Sequence, residues 1–297
     1  MADIHEPVAI LGIGAMGHGL ANSVLRAGIP TVVWDRRPEA TRDLAQLGAE
    51  VADSAAEAAR QAAIVITMVT DTDAVLSIAL EHGMLAALTP GSIWVQMSTI
   101  GVAGNDRVAA MVESERPDVM LVDAPVSGSK DPAEHGDLTI FASGPDEAQP
   151  RLATLFDALG QRTIWVGGVG AGTRLKLVNN AWLAFAAEAV AASLALARGL
   201  GLETQTVLEA LTSGPLVSSW QEAKLRRISN GEFSSQFALA LALKDVRLAL
   251  EAAGDDRFEA LACLADEWQQ AVDQGLGGYD LTVVTKVLGH QGAAPKS

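Results

Sequence analysis

The feature that most constrains the fold of this chain is a glycine-rich turn between a strand and a helix. An apolar run of strand type, Val8 to Leu11, leads into Gly12-Ile13-Gly14-Ala15-Met16-Gly17, and a helical pattern follows. The three glycines allow a tight turn, close approach of the backbone to a pyrophosphate, and close packing of the helix on the strand. The helix N-terminus favours the anion. The pattern therefore predicts a dinucleotide-binding unit in which these six residues contact the cofactor.

The residues after the second predicted strand, Pro30 to Trp34, give a mixed indication of which dinucleotide is bound. Asp35 could accept hydrogen bonds from both ribose hydroxyls of NAD, whereas Arg36 and Arg37 could bind the 2′-phosphate of NADP. Two arginines outweigh one carboxylate if Asp35 turns into solvent, so we expect NADP to be preferred over NAD. The alternative is that the arginines only solvate the start of the next helix.

Runs of strand type alternate with helical patterns as far as residue 166. Further strands are expected at Ala63 to Val69, Ser92 to Met97, Val119 to Val122, Asp137 to Ser143 and Thr163 to Val166. Such alternation predicts a doubly wound, mostly parallel sheet, to which the run from Asp137 returns. Ligands bind outside the carboxyl ends of the strands in such sheets. The cofactor crevice is therefore expected along the residues that end three strands: Val69-Thr70-Asp71, Ser98-Thr99 and Asp123 to Ser129.

The segment Pro125 to Gly128 is predicted to form a stiff turn that presents two hydrogen-bond donors. The Ser127 hydroxyl and the Gly128 amide suit a carboxylate or carbonyl oxygen of a substrate. An isolated Ser-Gly pair would indicate a turn and nothing more. The functional interpretation therefore depends on the neighbouring features.

A second glycine-rich stretch, Gly167 to Gly170, opens a long, alanine-rich helix with Lys176 and Asn180 near its start. Because these two residues are four apart, they share one helix face. An ammonium and a carboxamide are costly to bury without a use, so Lys176 is predicted to be a catalytic acid and Asn180 its partner. Burial and the positive end of a helix lower the pKa of a lysine, which suits this role. The alternative is a lysine that reaches solvent from a buried helix.

Composition excludes several classes of partner. The chain has 297 residues and a formal net charge of −15, which repels nucleic-acid phosphates and anionic lipid. Its N-terminus lacks the basic region of a signal peptide, so a cytoplasmic location is expected. The apolar stretch Leu177 to Ala197 includes Asn179, Asn180 and Glu188, which favours a buried helix over a membrane span.

The second half of the chain is predicted to be helical. The expected organisation is an α/β Rossmann domain at 1–168 and an all-α domain at 169–297, joined by the long interdomain helix. Excess apolar surface on that helix predicts a homodimer or homotetramer. The histidines, at positions 5, 18, 82, 135 and 290, show no metal-ligand spacing, so no metal site is expected.

Six motifs together make the chain resemble the β-hydroxyacid dehydrogenase family, and within it most the glyoxylate and succinic semialdehyde reductases. They are GIGAMG, MST from Met97, DAPVSGSKDPAEHGDL from Asp123, GAGTRLKLVNN from Gly170, FALALALKDVRLAL from Phe237 and GLGGYDLTVV from Gly275. The resemblance spans nearly the whole chain. Gly128-Ser129, where many members have Gly-Gly, agrees with the aldehyde-reducing subgroup. Asp35-Arg36, where that subgroup usually has Asn-Arg, leaves the cofactor open.

The resemblance implies a role for each matching residue. Lys176 matches the essential lysine, Asn180 the asparagine that follows it, and Ser127 and Gly128 the substrate-binding turn. Thr99 is implied to lie near the nicotinamide. Three residues of the helical domain also match: Phe237 and Asp245 as pocket residues, and Lys244 as a residue that reaches the cofactor.

The function implied is reduction of a small carboxylate-bearing aldehyde to the hydroxy acid by a reduced nicotinamide, with Lys176 protonating the alkoxide. Ser127 and Gly128 would hold the distant carboxylate. Three alternatives remain open. They are oxidation of a 3-hydroxy acid with NAD, which Asp35 favours, an imine reductase, which usually lacks this lysine, and a non-catalytic dinucleotide-binding scaffold.

Overall fold

The computed structural model describes residues 6–254 and 256–288. The chain divides into two compact units, Met1–Lys176 and Leu177–Ser297. This boundary falls inside one continuous helix, whereas the sequence placed it between residues 168 and 169, just before that helix.

Six short strands form the main sheet of the N-terminal unit. They are β1 (Val8–Leu11), β2 (Thr31–Trp34), β3 (Glu50–Val51), β4 (Ile64–Thr67), β5 (Ile93–Gln96) and β6 (Met120–Asp123). All neighbouring pairs are parallel, and the order is β3-β2-β1-β4-β5-β6. The predicted doubly wound sheet is confirmed. The strand order reverses between β1 and β4, which is the position where such sheets open a ligand crevice.

Helices cover both faces of this sheet. They are α1 (Ala15–Arg26), α2 (Arg42–Gln46), α3 (Ala55–Gln61), α4 (Thr72–Leu76), α5 (Met84–Ala87), α6 (Gly101–Glu115), α7 (Lys130–His135) and α8 (Ala148–Leu159). Because strand side chains alternate between faces, Ile10 joins the core beneath α1 and α8, and Leu11 joins the core beneath α3 and α6. Both faces of β1 are therefore buried, as its unbroken apolar sequence requires.

A separate three-stranded sheet follows β6, and here the predictions are wrong, because the strands expected from Asp137 and from Thr163 both lie outside the main sheet. The strands are β7 (Val126–Ser127), β8 (Leu138–Ala142) and β9 (Gly160–Trp165). β8 pairs with β7 and β9 and does not return to the main sheet. Val126 and Ser127, expected in a turn, use their backbone in pairing with β8. An antiparallel bridge between Asp123 and Ser143 joins the ends of β6 and β8.

The C-terminal unit is built from helices in its described part. They are most of α9 (Ala171–Gly199), then α10 (Thr204–Thr212), α11 (Ser219–Ser229), α12 (Leu239–Ala253), α13 (Glu259–Ala271) and a 3₁₀ segment, Leu281–Lys286. One core surrounds Trp268, and a smaller core lies between α9, α10 and α11. Small side chains such as Ala184, Ala187 and Ala191 on the buried face of α9 belong to the first core. The alanine-rich sequence of α9 therefore allows close helix packing.

Candidate active site

Two of the three fingerprint glycines are required by contacts within the protein, and the third borders open space. Gly12 has a φ of 97°, and a Cβ there would lie 2.5 Å from the Met68 carbonyl oxygen. A Cβ on Gly17 would lie 1.9 Å from the Gly12 carbonyl oxygen, so Gly17 allows α1 to pack on the turn. Gly14 is exposed and has no atom within 4 Å of such a Cβ. The space beside Gly14 fits a pyrophosphate, since the backbone and the N-terminus of α1 are open there.

The Asp35 side chain is held inside the protein. Its Oδ2 accepts the Ile13 N–H at 2.8 Å, and its Oδ1 accepts the Arg37 N–H at 2.9 Å and the Arg37 Nε–H at 3.2 Å. The side chain is 8% exposed. The expectation that Asp35 turns into solvent is therefore wrong, because two backbone amides bind its carboxylate. Arg36 is exposed beside it.

The other predicted cofactor and substrate residues of the N-terminal unit lie at the same edge of the sheet. They follow the carboxyl ends of parallel strands: Val69 and Thr70 after β4, Thr99 after β5, and Ser127 and Gly128 after β6. The Ser98 hydroxyl accepts the Val69 N–H at 2.8 Å and so joins two of these ends. Gly128 has a φ of 137°, and a Cβ there would lie 2.5 Å from Leu138. The backbone at Gly128 therefore requires glycine.

The start of α9 is fixed to the end of β6 by a buried carboxylate. Asp123 accepts the Thr173 N–H on Oδ2 and the Thr173 hydroxyl on Oδ1, both at 2.7 Å. The Ser143 hydroxyl accepts the Gly172 N–H at 2.9 Å and donates to Asp123 Oδ2 at 3.2 Å. Burial raises the pKa of Asp123, although these hydrogen bonds act in the opposite direction. Two amides at the helix N-terminus thus find side-chain acceptors.

Lys176 lies three residues beyond Thr173, and therefore one turn into α9. It is buried, with 8% of its surface exposed. Since α9 starts at the ends of β6 and β8, its first turn begins at the edge that carries the predicted nicotinamide and substrate residues. A lysine at this place can deliver a proton to a group bound at that edge.

Asn180 belongs to the C-terminal unit, where it meets two other predicted residues. The Asn180 Nδ2 donates to Asp245 Oδ2 at 2.6 Å, and the Lys244 ammonium lies 2.8 Å from Asp245 Oδ1. Asn180 and Asp245 are both buried. The Asp245 carboxylate therefore orients the Asn180 carboxamide, whose oxygen accepts a hydrogen bond from Asn179 Nδ2 at 3.2 Å.

Phe237 lies two residues before α12 and is held by a buried ion pair that the sequence did not predict. Asp280 accepts the Phe237 N–H at 3.3 Å and the Gln236 N–H at 3.1 Å, and the Lys224 ammonium lies 2.9 Å from both Asp280 oxygens. Burial alone would raise the pKa of Asp280, but the Lys224 ammonium holds it below its usual range. This pair fixes the segment that leads to Lys244 and Asp245.

Sequence reasoning placed Asp123 at the predicted crevice but missed Thr173 and the hydrogen bonds between the two residues. The available signals were a carboxylate directly after a strand and a hydroxyl residue one turn before Lys176. These signals are weak, because aspartate and threonine are common at strand and helix ends. In the described part of the chain, no cluster of three or more His, Cys, Asp or Glu side chains could hold a metal ion. His5 and His290 lie outside the described residues.

Two family models match the chain along almost its whole length. The NAD binding domain of 6-phosphogluconate dehydrogenase matches residues 7–167, and the NAD-binding domain of NADP-dependent 3-hydroxyisobutyrate dehydrogenase matches residues 170–288. The chain belongs to the β-hydroxyacid dehydrogenase family. It is an NAD(P)-dependent oxidoreductase that acts on CH–OH or C=O groups, as predicted.

Similar proteins in this family act on different small molecules. Glyoxylate/succinic semialdehyde reductase 1 of Arabidopsis thaliana is 31% identical over 95% of this chain and 98% of its own. L-threonate dehydrogenase of Cupriavidus necator is 28% identical, over 95% of each chain. A crystal structure of 3-hydroxyisobutyrate dehydrogenase from Salmonella typhimurium superimposes with a TM-score of 0.85 at 28% identity, covering 95% of this chain and 99% of that one.

The helix α9 is long and apolar enough to cross a membrane by length and composition alone. Its half-buried Glu188 accepts a hydrogen bond from the Trp268 indole at 2.8 Å, and burial raises the pKa of Glu188 to about 7. The apolar residues of α9 that face the helical unit lie in its two cores. Packing within the protein therefore accounts for the apolar sequence of this face.

Substitution of two fingerprint glycines should separate cofactor binding from folding. Gly14→Ala places a methyl group in open space, so we expect an unchanged Tm and a Kd for NADPH that is raised about tenfold. Gly17→Ala forces a methyl group against the Gly12 carbonyl, so we expect a loss of about 1–3 kcal/mol of stability. Calorimetry and thermal denaturation measure both effects. Unchanged NADPH affinity in Gly14→Ala would contradict the assigned pyrophosphate position.

Substitution of Thr173 should test how α9 is anchored. Thr173→Val keeps the shape of the side chain but leaves one oxygen of the buried Asp123 carboxylate without its hydroxyl donor. We expect a loss of about 1–3 kcal/mol in the free energy of unfolding, measured by urea denaturation. Thr173→Ser keeps the hydroxyl and serves as the control. Equal stability of the valine variant and the wild type would show that this hydrogen bond does not anchor the helix.

Proposed function

We propose that this protein reduces a small carboxylate-bearing aldehyde, of the glyoxylate or succinic semialdehyde type, to the hydroxy acid, with NADPH preferred. The observation that carries the proposal is the buried Lys176, one turn into a helix whose start is bound to the carboxyl edge of the nucleotide-binding sheet. Burial of an ammonium group is costly, and a role in proton transfer at the carboxyl edge of the sheet would explain why it is buried there.

Lys176 acts as the general acid in this proposal. A reduced nicotinamide cofactor held at the fingerprint turn would supply a hydride to the carbonyl carbon. Lys176 donates a proton from Nζ to the carbonyl oxygen as negative charge develops there, which yields the hydroxyl group and a neutral amine. The amine regains its proton from solvent after product leaves. In the reverse direction the neutral amine of Lys176 accepts the hydroxyl proton.

Ser127 and Gly128 bind the carboxylate end of the substrate. The Ser127 hydroxyl and the Gly128 amide are donors, and the positive φ of Gly128 places that amide in a conformation that other residues rarely adopt. A negatively charged chain needs such local donors to hold an anionic substrate. The similarity to glyoxylate/succinic semialdehyde reductase 1 supports this substrate class.

Arg36 is the principal residue for the 2′-phosphate in this proposal. Its guanidinium is exposed at the end of β2, and it forms no hydrogen bond or ion pair with the described residues. A planar guanidinium can form paired hydrogen bonds with a phosphate. Arg37 adds positive charge, although part of it is neutralised by Asp35.

Oxidation of a 3-hydroxy acid with NAD is the second candidate. It is favoured by the close superposition on the Salmonella typhimurium 3-hydroxyisobutyrate dehydrogenase. Both candidates share the lysine chemistry, because the lysine that donates a proton in carbonyl reduction accepts one in alcohol oxidation. They differ in substrate and cofactor, and kinetics can separate them.

Steady-state kinetics with a substrate panel tests the proposed function. The panel contains glyoxylate, succinic semialdehyde, 3-hydroxyisobutyrate, threonate and a cyclic imine, each with the phosphorylated and the unphosphorylated cofactor. We expect the highest kcat/KM for one of the two aldehydes with NADPH. Dominant oxidation of a 3-hydroxy acid with NAD would establish the second candidate, and activity with none would support a binding role.

Lys176→Ala should lower turnover in that assay by a factor of about a hundred to ten thousand, the usual effect of losing a general acid. Its Kd for NADPH should stay near the wild-type value, because the fingerprint turn is untouched. Lys176→Arg is the control for size and charge, since arginine is a poor proton donor near neutral pH. Normal turnover in either variant would remove Lys176 from the mechanism.

A second copy of the chain is proposed to cover the outer face of α9. Trp182 is 77% exposed and Val178 is 67% exposed on that face. The solvent-facing residues repeat at alternating spacings of four and three, as in a helix–helix seam: Val178, Trp182, Phe185, Ala189, Ala192 and Leu196. Such a face can pair with its own copy about a two-fold axis. The proposed assembly is therefore a homodimer, or a tetramer built from it.

Trp182→Glu should convert the assembly to monomers, because it places a charge in the middle of an apolar interface. Light scattering at micromolar concentration measures the mass. Leu216→Glu is the matched control, since Leu216 is 88% exposed but lies outside α9. A wild-type protein that is monomeric at this concentration would contradict the proposal.

A further inference from the structure

The Asp35 carboxylate occupies the position where a nucleotide-binding fold normally reads the adenosine ribose. In that arrangement the carboxylate faces the ligand, and both oxygens accept ribose hydroxyls. Here the carboxylate oxygens are bound by the protein itself. Ile13, between the first two fingerprint glycines, donates its N–H to Oδ2, and Arg37 donates both its N–H and its Nε–H to Oδ1.

These hydrogen bonds connect the end of β2 to the fingerprint turn. Gly12 continues the pairing of β1 with β2, since its N–H donates to the Trp34 carbonyl oxygen at 3.0 Å. The next amide, that of Ile13, donates to the Asp35 side chain at 2.8 Å. The carboxylate therefore extends the strand pairing by one residue into the turn. Without Asp35, the Ile13 N–H would need another hydrogen-bond acceptor, because the turn leaves the strand pairing at that residue.

Arg36 and Arg37 are not equivalent at this corner. Arg37 forms an ion pair with Asp35, so its charge is partly neutralised and its position is restricted. Arg36, which lies between Asp35 and Arg37 in the sequence, is exposed and forms no hydrogen bond or ion pair with the described residues. A carboxylate that is 8% exposed and already accepts three hydrogen bonds has little capacity left for ribose hydroxyls. The exposed charge available to a ligand here is positive.

We infer that Asp35 is a positioning residue, which holds the fingerprint turn and Arg37 in place, and that it does not read the ribose hydroxyls. An aspartate at the end of β2 is then compatible with a 2′-phosphorylated dinucleotide, which Arg36 recognises. This inference deepens the cofactor preference of the proposed function and rests on it for the role of Arg36. The part that concerns Asp35 depends only on dinucleotide binding.

Binding of NAD⁺ and of its analogue that lacks the adenosine 2′-hydroxyl tests the inference directly. Calorimetry on the unmodified protein gives both Kd values without any turnover. If Asp35 read the ribose, removal of the hydroxyl would leave a charged acceptor unpaired and weaken binding about tenfold or more. We expect a difference of less than about threefold, the size of a minor contact.

The same two ligands are then measured on the Asp35→Ala variant. Both ligands lack a 2′-phosphate, so the loss of negative charge affects them equally and only the contact with the hydroxyl separates them. We expect both affinities to fall by the same factor, about tenfold, because the fingerprint turn loses an acceptor of charge-assisted hydrogen bonds. Loss of NAD⁺ affinity with no change for the analogue would overturn the inference. Unchanged affinity for both would overturn it as well.

Two further variants distinguish positioning from general destabilisation. Asp35→Asn keeps one oxygen for the Ile13 N–H, so we expect it to restore most of the affinity lost in Asp35→Ala. Asp43→Ala removes another carboxylate of the same unit, one that binds His18 and not the turn, and should leave both affinities unchanged. If Asp35→Ala does not fold, the comparison of the two ligands on the wild type and on Asp35→Asn decides.

The cofactor preference is tested separately by Arg36→Ala. We expect this variant to lose about tenfold or more in NADP⁺ affinity and almost none in NAD⁺ affinity, because only the phosphate contact is removed. Equal NADP⁺ affinity in Arg36→Ala and the wild type would reject the proposed NADP preference. The assignment of Asp35 would still stand if NAD⁺ and its analogue behave as expected in the wild type and in Asp35→Ala. Absence of aldehyde reduction would likewise reject the proposed function alone.

Discussion

The geometry of the candidate site depends on the hydrogen bonds that the Asp123 carboxylate accepts from the start of α9. This carboxylate is fully buried at the end of β6, and it binds both the amide and the hydroxyl of Thr173 in the first turn of α9. A buried carboxylate is costly to desolvate, and burial raises its pKa. Several short hydrogen bonds, together with the positive end of a helix of 29 residues, offset that cost. The sheet thereby determines where α9 starts, and Lys176 follows one turn later.

The fold of the N-terminal unit could be predicted because its signals are local. Apolar runs of four residues between helical patterns, and a glycine turn after the first strand, are sufficient to indicate parallel strands with crossover helices. The partners of a strand are not a local property. The apolar run at β8 resembles the strands of the main sheet in composition, yet it pairs with β7 and β9. Its assignment to the main sheet failed for that reason, and the two-residue β3 was missed because its sequence carries no periodicity.

In the candidate site as well, the sequence predicted the type of residue but not its contacts. The sequence identified a carboxylate after β2, and the fingerprint rule gives such a residue a ligand-binding role. Its actual partners, the Ile13 and Arg37 amides, depend on how the turn after β1 lies against the end of β2. Residue type cannot specify this. By contrast, the glycine positions could be predicted well, because Gly12 and Gly17 are required by atoms within the same strand–turn–helix unit or the adjacent β4 end.

Asp35 and Asp123 have the same structural role at the ligand-binding edge of the sheet. Each aspartate ends a strand of the parallel sheet, and each accepts a backbone amide from the element that lies beside that end. The reason is physical, since turns and helix N-termini leave amides without partners at the edge where ligands bind. A carboxylate used in this way no longer presents its oxygens to solvent. Its charge is then compensated inside the protein, so the exposed charge beside the end of β2 is that of Arg36.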